Sequence, residues 1–215
     1  IDTPSGGIGA WRADPEGAPL GALVVVQEIF GVNAHMRSVA DGYAAAGYVA
    51  VAPAFFDPVE RGVELGYDAD GVARGRELVN ALGLDAAVGI VDATARLLRG
   101  EGHKVGVVGF CWGGTVAFLS ATRLGLPAVA YYGARDVPFL DEPLRAPAMF
   151  HFGERDTSIP PADVELHREK LPRAEVFTYA AGHGFNRDVD PHVYDADSAR
   201  LARKRTLDFF AAALA

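Results

Sequence analysis

Apolar positions along this chain follow two alternating rhythms. Short runs at Ala22–Gln27, Tyr48–Ala52, Lys104–Val108, Pro127–Tyr132, Ala148–Phe152 and Glu175–Tyr179 are of strand length and rich in β-branched or aromatic residues. Several are apolar without alternation, the pattern of strands buried on both faces. Stretches with helical spacing separate them. Met36, Val39, Ala40 and Tyr43 share one face of a helix that Asn33 caps and Gly47 stops. Val72–Leu82 predicts a short helix, and Leu84, Val88, Val91, Ala95 and Leu98 form a stripe ending at Gly100. Trp112–Arg123, a segment from Pro160 and Pro161 to Leu171, and Asp195–Ala213 complete the helices, the last with Leu207, Phe210 and Leu214 on one side. Gly7–Ala13 reads as a short edge strand and Phe55–Gly71 as irregular. Strands alternating with helices predict a single α/β domain over residues 1–215, with a mostly parallel sheet covered by helices on both faces.

Composition narrows the class of partner. Of the 215 residues 50% are hydrophobic and 22% charged, enough to bury a sizeable core. A net charge of −8 argues against nucleic acid and against an anionic membrane surface. No apolar run approaches the roughly 18 residues of a membrane span. The opening Ile-Asp-Thr-Pro-Ser-Gly-Gly has no charged segment leading into an apolar one, and it lacks Met, which points to trimming upstream. The only cysteine excludes an internal disulfide and fits a reducing, cytoplasmic setting.

That cysteine carries the chemistry. In Val105–Thr115 an apolar β-branched run ends at Gly109, and Gly113 and Gly114 open a helix, with Cys111 between them. Gly-x-nucleophile-x-Gly is the pattern of a sharp strand-to-helix turn that lifts one side chain above a sheet and crowds its neighbours. A free cysteine is ordinarily a small buried hydrophobe. The elbow context reverses that reading, because a helix N-terminus favours a thiolate. A thiol near its ordinary pKa needs a base, and the base needs an acid to fix its tautomer. Of six histidines, only His183 lies in a glycine-flanked loop after the last strand. Asp156, in the loop after the preceding strand, leads Glu154 and Asp163 as the acid. The chain order Cys111, Asp156, His183 is nucleophile, acid, base. Glu28 ends a hydrophobic strand, where a carboxylate is partly desolvated; by itself such a residue is usually just solvated. The backbone N–H groups of Ile29 and Trp112 are the expected oxyanion hole. Glu28, Cys111, Asp156 and His183 all follow strand ends, where ligands bind in parallel sheets.

These residues resemble the dienelactone hydrolase (carboxymethylenebutenolidase) family of the α/β-hydrolase superfamily. The resemblance spans nearly the whole chain. It is carried by Gln27–Asn33, the elbow Gly109–Gly114 and Ala181–Phe185, and supported by Tyr131-Tyr132-Gly133 and Arg205–Phe209. It implies that Cys111, Asp156 and His183 form a triad and that Glu28 takes the thiol proton when substrate binds, sparing the resting thiol from oxidation. It implies an acyl-enzyme, hydrolysis of a dienelactone from aromatic-compound degradation, and no metal or organic cofactor. Family members grip the lactone's carboxylate with two arginines. Arg187 occupies one place; the other falls near Val72, which is not basic, leaving Arg74 and Arg76 as neighbours. Trp112 is also larger than the residue expected after the nucleophile. The alternatives are another ester, thioester or lactone as substrate, or a non-catalytic ligand-binding or redox-sensing thiol protein. The expected partner is a small lactone or ester, with no nucleic acid and no membrane. A monomer is expected, with a dimer as the alternative.

Overall fold

The apolar runs become strands close to where the sequence places them in a computed structural model that describes residues 1–215. The chain divides into two compact units, Ile1–Val107 with Leu214, and Val108–Ala213 with Ala215. The first unit begins with a small hairpin of β1 (Asp2–Thr3) and β2 (Gly6–Gly7). Then come β3 (Ala10–Ala13), β4 (Gly21–Val26) and β5 (Tyr48–Pro53). Every residue of β4 and β5 is buried, as runs without polar alternation require. β5 pairs parallel with β4 and antiparallel with β3. Helix α1 (Ala34–Ala45) joins β4 to β5; the Asn33 side chain caps it by accepting the Met36 N–H at 3.2 Å. After α2 (Ala69–Leu82) and α3 (Leu84–Gly100) the chain enters β6 (Val105–Phe110). Here α1 packs on β3 and β5, and α3 on β4 and β5.

The second unit continues from β6 into α4 (Trp112–Arg123), β7 (Ala128–Tyr131), β8 (Ala148–Gly153), α5 (Pro161–Lys170), β9 (Glu175–Tyr179) and α6 (Ala196–Ala213). β7, β8 and β9 run parallel, with Tyr131 opposite His151 and His151 opposite Phe177. α4 packs on β7, α6 on β8 and α5 on β9. The sheet order is β3-β5-β4-β6 in the first unit and β6-β7-β8-β9 in the second. The class is α/β, a mostly parallel sheet of seven strands flanked by helices. No single helix is long and apolar enough to cross a membrane.

Three elements differ from the sequence pattern. The edge strand expected at Gly7–Ala13 is split, Gly7 pairing in the β1–β2 hairpin and only Ala10–Ala13 pairing with β5. α2 starts at Ala69, ahead of Val72, because the Asp68 side chain caps it by accepting the Gly71 N–H at 2.8 Å. In α6 Ser198, Ala199, Ala202, Thr206, Phe209 and Phe210 are buried; Phe210 and the following Leu214 are buried as expected, while Leu207 is only half-buried. A polar residue takes the inner position because its hydroxyl finds partners there.

Candidate active site

β6 ends at Phe110 and α4 begins at Trp112, so Cys111 alone makes the turn, at φ +55° and ψ −120°. That is left-handed backbone, which costs an L residue about 1–2 kcal/mol. The glycine spacing around it is steric. A Cβ on Gly109 would stand 1.8 Å from the Gly113 carbonyl oxygen, and one on Gly114 would stand 2.7 Å from that of Tyr131. The Cys111 N–H donates to the Tyr131 carbonyl at 3.0 Å, and the Gly114 N–H to the Cys111 carbonyl at 2.9 Å. Cys111 is half-buried at the N-cap of a helix of 12 residues. The positive end of that helix dipole therefore lies beside the sulfur.

His183 follows β9 and Asp156 follows β8. Imidazole Nδ1 lies 2.7 Å from Asp156 Oδ2, and the other carboxylate oxygen accepts the Ser158 N–H at 2.8 Å. The Asp156 side chain is wholly buried; that of His183 is 25% exposed. A carboxylate accepts, so Nδ1 carries the proton and Nε2 is left for the sulfur. Burial pushes His183 towards the neutral form, but hydrogen bonds to Asp156 and Cys111 prevail and raise its pKa to about 10. Glu154 is exposed and Asp163 lies in the first turn of α5, so Asp156 alone of the three meets His183.

The remaining sequence candidates take these places. Glu28 and Ile29 belong to the first unit, just past β4. Glu28 is 1% exposed, and its carbonyl accepts from Gln27 Nε2 at 3.2 Å. Trp112 is the first residue of α4, so its N–H is one of the donors that a helix start leaves without an intrahelical acceptor. Arg187 is buried in the second unit and pairs with Asp190 at 3.3 Å. Arg74 and Arg76 lie on the exposed face of α2, where Arg74 pairs with Glu60 and Glu77. No group of three or more His, Cys, Asp and Glu is placed to hold a metal ion.

The second unit also holds an acid–histidine pair that the sequence did not signal. His167 Nε2 lies 3.2 Å from Asp136 Oδ2, both side chains are sealed from solvent, and the Thr115 hydroxyl donates to the same carboxylate. The His167 ring sits edge-on to Phe150 and Phe152, with its Nδ1 on the Asp163 carbonyl at 2.7 Å. Its partners lie far apart in sequence, and no local motif links them.

A cysteine held at a strained strand-to-helix elbow, with an acid-anchored histidine after the last strand of an α/β sheet, defines the α/β-hydrolase class. The sequence profile of the dienelactone hydrolase family matches residues 8–214. A carboxymethylenebutenolidase of Pseudomonas putida is 36% identical over 215 aligned residues, covering 94% of this chain and 90% of that protein. The crystal structure of a putative dienelactone hydrolase from Klebsiella pneumoniae superposes with a TM-score of 0.83 at 31% identity, covering 94% of this chain and 92% of that one. An esterase of Pyrococcus furiosus shares the fold at a TM-score of 0.72 and 16% identity, covering 100% of this chain and 91% of that one. The chain belongs to the dienelactone hydrolase family and is a carboxylic ester hydrolase.

Proposed function

We propose that the protein opens a lactone or ester through Cys111, with His183 as the base and acid and Asp156 as its anchor. The observation that carries this reading is the strained Cys111 elbow in the same unit as the 2.7 Å Asp156–His183 pair. The Cys111 thiolate attacks the carbonyl carbon, and the collapse of the adduct breaks the ring C–O bond. The departing oxygen takes a proton from His183, leaving a thioester on Cys111. His183 then accepts one proton from water as the water oxygen attacks the thioester. The adduct expels the Cys111 thiolate and releases the product as a carboxylic acid, which gives its remaining proton to solvent. Trp112 and Ile29 N–H groups would hold the oxyanion, each such donor being worth about 10²–10³ in rate. Glu28, a carboxylate secluded at a strand end, is assigned the role of taking the thiol proton when substrate arrives and returning it after turnover. The proton for the departing oxygen is the one His183 already carries because its pKa is raised.

The favoured substrate is a dienelactone bearing a free carboxylate, as the name of the Pseudomonas relative suggests. The cation proposed for that carboxylate is Arg187, which is buried and also pairs with Asp190. A second reading, a plain ester or another lactone, is favoured by Arg74 being exposed and already paired with two glutamates. Values of kcat/KM for cis- and trans-dienelactone against an aryl acetate, with Cys111→Ala as control, separate the two. A preference of about 100-fold or more for a dienelactone supports the first, activity on the ester alone supports the second, and full activity in Cys111→Ala removes both.

A further inference from the structure

Behind the elbow lies a buried polar chain that the mechanism above does not use. Arg205 Nη1 donates to the Tyr179 hydroxyl at 3.0 Å, and that hydroxyl lies 2.8 Å from His151 Nδ1. His151 Nε2 lies 3.1 Å from the Thr206 hydroxyl, which is also 2.7 Å from the Tyr131 hydroxyl and 2.9 Å from the Ala202 carbonyl. His151, Tyr131, Thr206 and Tyr179 are all buried.

One assignment gives every proton of this chain an acceptor. A guanidinium only donates, so the Tyr179 oxygen accepts from Arg205 and passes its own proton to His151 Nδ1. His151 therefore carries its proton on Nε2 and donates it to Thr206. A carbonyl only accepts, so the Thr206 proton goes to Ala202 and the Tyr131 hydroxyl donates to Thr206. Burial, with Arg205's charge adding to it, lowers the His151 pKa to about 3, so the ring stays neutral across the working range. It neither supplies nor takes a proton, and the direction of the chain is fixed.

The far end of the chain touches both halves of the catalytic pair. The Tyr131 carbonyl accepts the Cys111 N–H at 3.0 Å, and the Tyr131 ring packs on Phe110 at 4.7 Å. The next residue, Tyr132, has φ +42°, and its ring lies 5.0 Å from that of His183. Cys111 and Tyr132 are the only non-glycine residues with positive φ. Both flank Tyr131 in space, one through its carbonyl and one through the chain. Strained residues persist where their surroundings over-determine them.

We propose that Arg205, Tyr179, His151 and Thr206 are positioning residues, which anchor Tyr131 and through it set Cys111 and His183 at their working separation. The inference rests on the nucleophile and base assigned above. Its test uses Thr206→Val, which keeps the volume and removes the hydroxyl, beside Thr206→Ser, which keeps the hydroxyl. The readouts are kcat and KM on an aryl acetate and the NMR titration midpoint of His183, with Cys111→Ala marking the midpoint without the thiol. Thr206→Val is expected to lower kcat about tenfold with KM within about twofold, and to shift the midpoint towards that of Cys111→Ala. Thr206→Ser is expected to stay within about twofold of wild type in kcat, with its midpoint unchanged. Wild-type kcat and an unshifted midpoint in Thr206→Val would overturn the proposal, whatever its melting temperature. If Thr206→Val does not fold, Tyr131→Phe carries the same comparison. If the wild type shows no cysteine-dependent turnover, the catalytic reading fails and the His183 midpoint alone decides this one.

Discussion

His183 and His151 lie in the same unit, each with Nδ1 in a hydrogen bond of 2.7–2.8 Å, yet their pKa values move in opposite directions. His183 rises to about 10 and His151 falls to about 3. Burial acts on both in the same sense, against the charged ring. The partners make the difference. His183 faces a carboxylate and a thiol, groups that carry or can carry negative charge. His151 faces two hydroxyls, with the Arg205 guanidinium beyond one of them. For these two rings, a carboxylate partner outweighs burial and favours the charged form, while hydroxyl partners leave burial in control.

The largest effect should come from making His183 resemble His151. Asp156→Asn keeps the shape and removes the charge, and kcat on an aryl acetate is expected to fall about 10³–10⁴-fold. The His183 midpoint should fall well below its wild-type value in the same variant, read by NMR. Wild-type turnover in Asp156→Asn would show that the carboxylate charge is not what prepares the base.

A smaller effect should appear in stability on the acid side. His151 has a folded pKa of about 3 against 6.5 unperturbed, so between these values the unfolded chain binds the extra proton. Stability from this residue is complete above about pH 6.5 and is lost as pH falls towards 3, by on the order of 4 kcal/mol. The stability difference between wild type and His151→Gln, from urea unfolding at pH 7 and pH 3, should shrink by about that amount. A constant difference would mean that His151 gains its charge inside the fold. His183 has the opposite sign: its pairing stabilises fully below about pH 6.5 and is lost as pH rises through about 10.

The smallest effect tests the cation itself. Burial outranks Arg205 as the cause of the low His151 value. Arg205→Gln should therefore raise the His151 midpoint by only a fraction of a unit. A rise to the ordinary histidine range would make the guanidinium, not the desolvation, the main cause.

The elbow was legible because its signal is local. Gly109, Cys111 and Gly113 stand at fixed spacing, and the 1.8 Å clash that a Cβ on Gly109 would make with the Gly113 carbonyl is the reason for that spacing. The choice of His183 among six histidines rested on its loop past the last strand, and there it meets a carboxylate. The contact of Asp156 with His183 was within reach from chain order. The central strands followed from unbroken apolar runs, and the shorter mixed run Glu175–Tyr179 matched β9 to the residue. The start of α2 was also within reach, because Asp68 followed by Ala69 and Asp70 is a capping signal. Thr206, Tyr132 and the Asp136–His167 pair were not legible. Thr206 sits 55 residues from His151 and 75 from Tyr131, and its burial depends on partners that only the fold supplies. Nothing in Tyr131-Tyr132-Gly133 announces a left-handed tyrosine beside a glycine that could have taken that conformation more readily.

The strain at Cys111 belongs to its backbone and not to its sulfur. Any residue with a Cβ would bear the same penalty at φ +55°, whether it ended in a thiol or a hydroxyl. Exchanging a thiol for a hydroxyl at this position therefore leaves the conformational burden on the fold unchanged, whatever it does to reactivity.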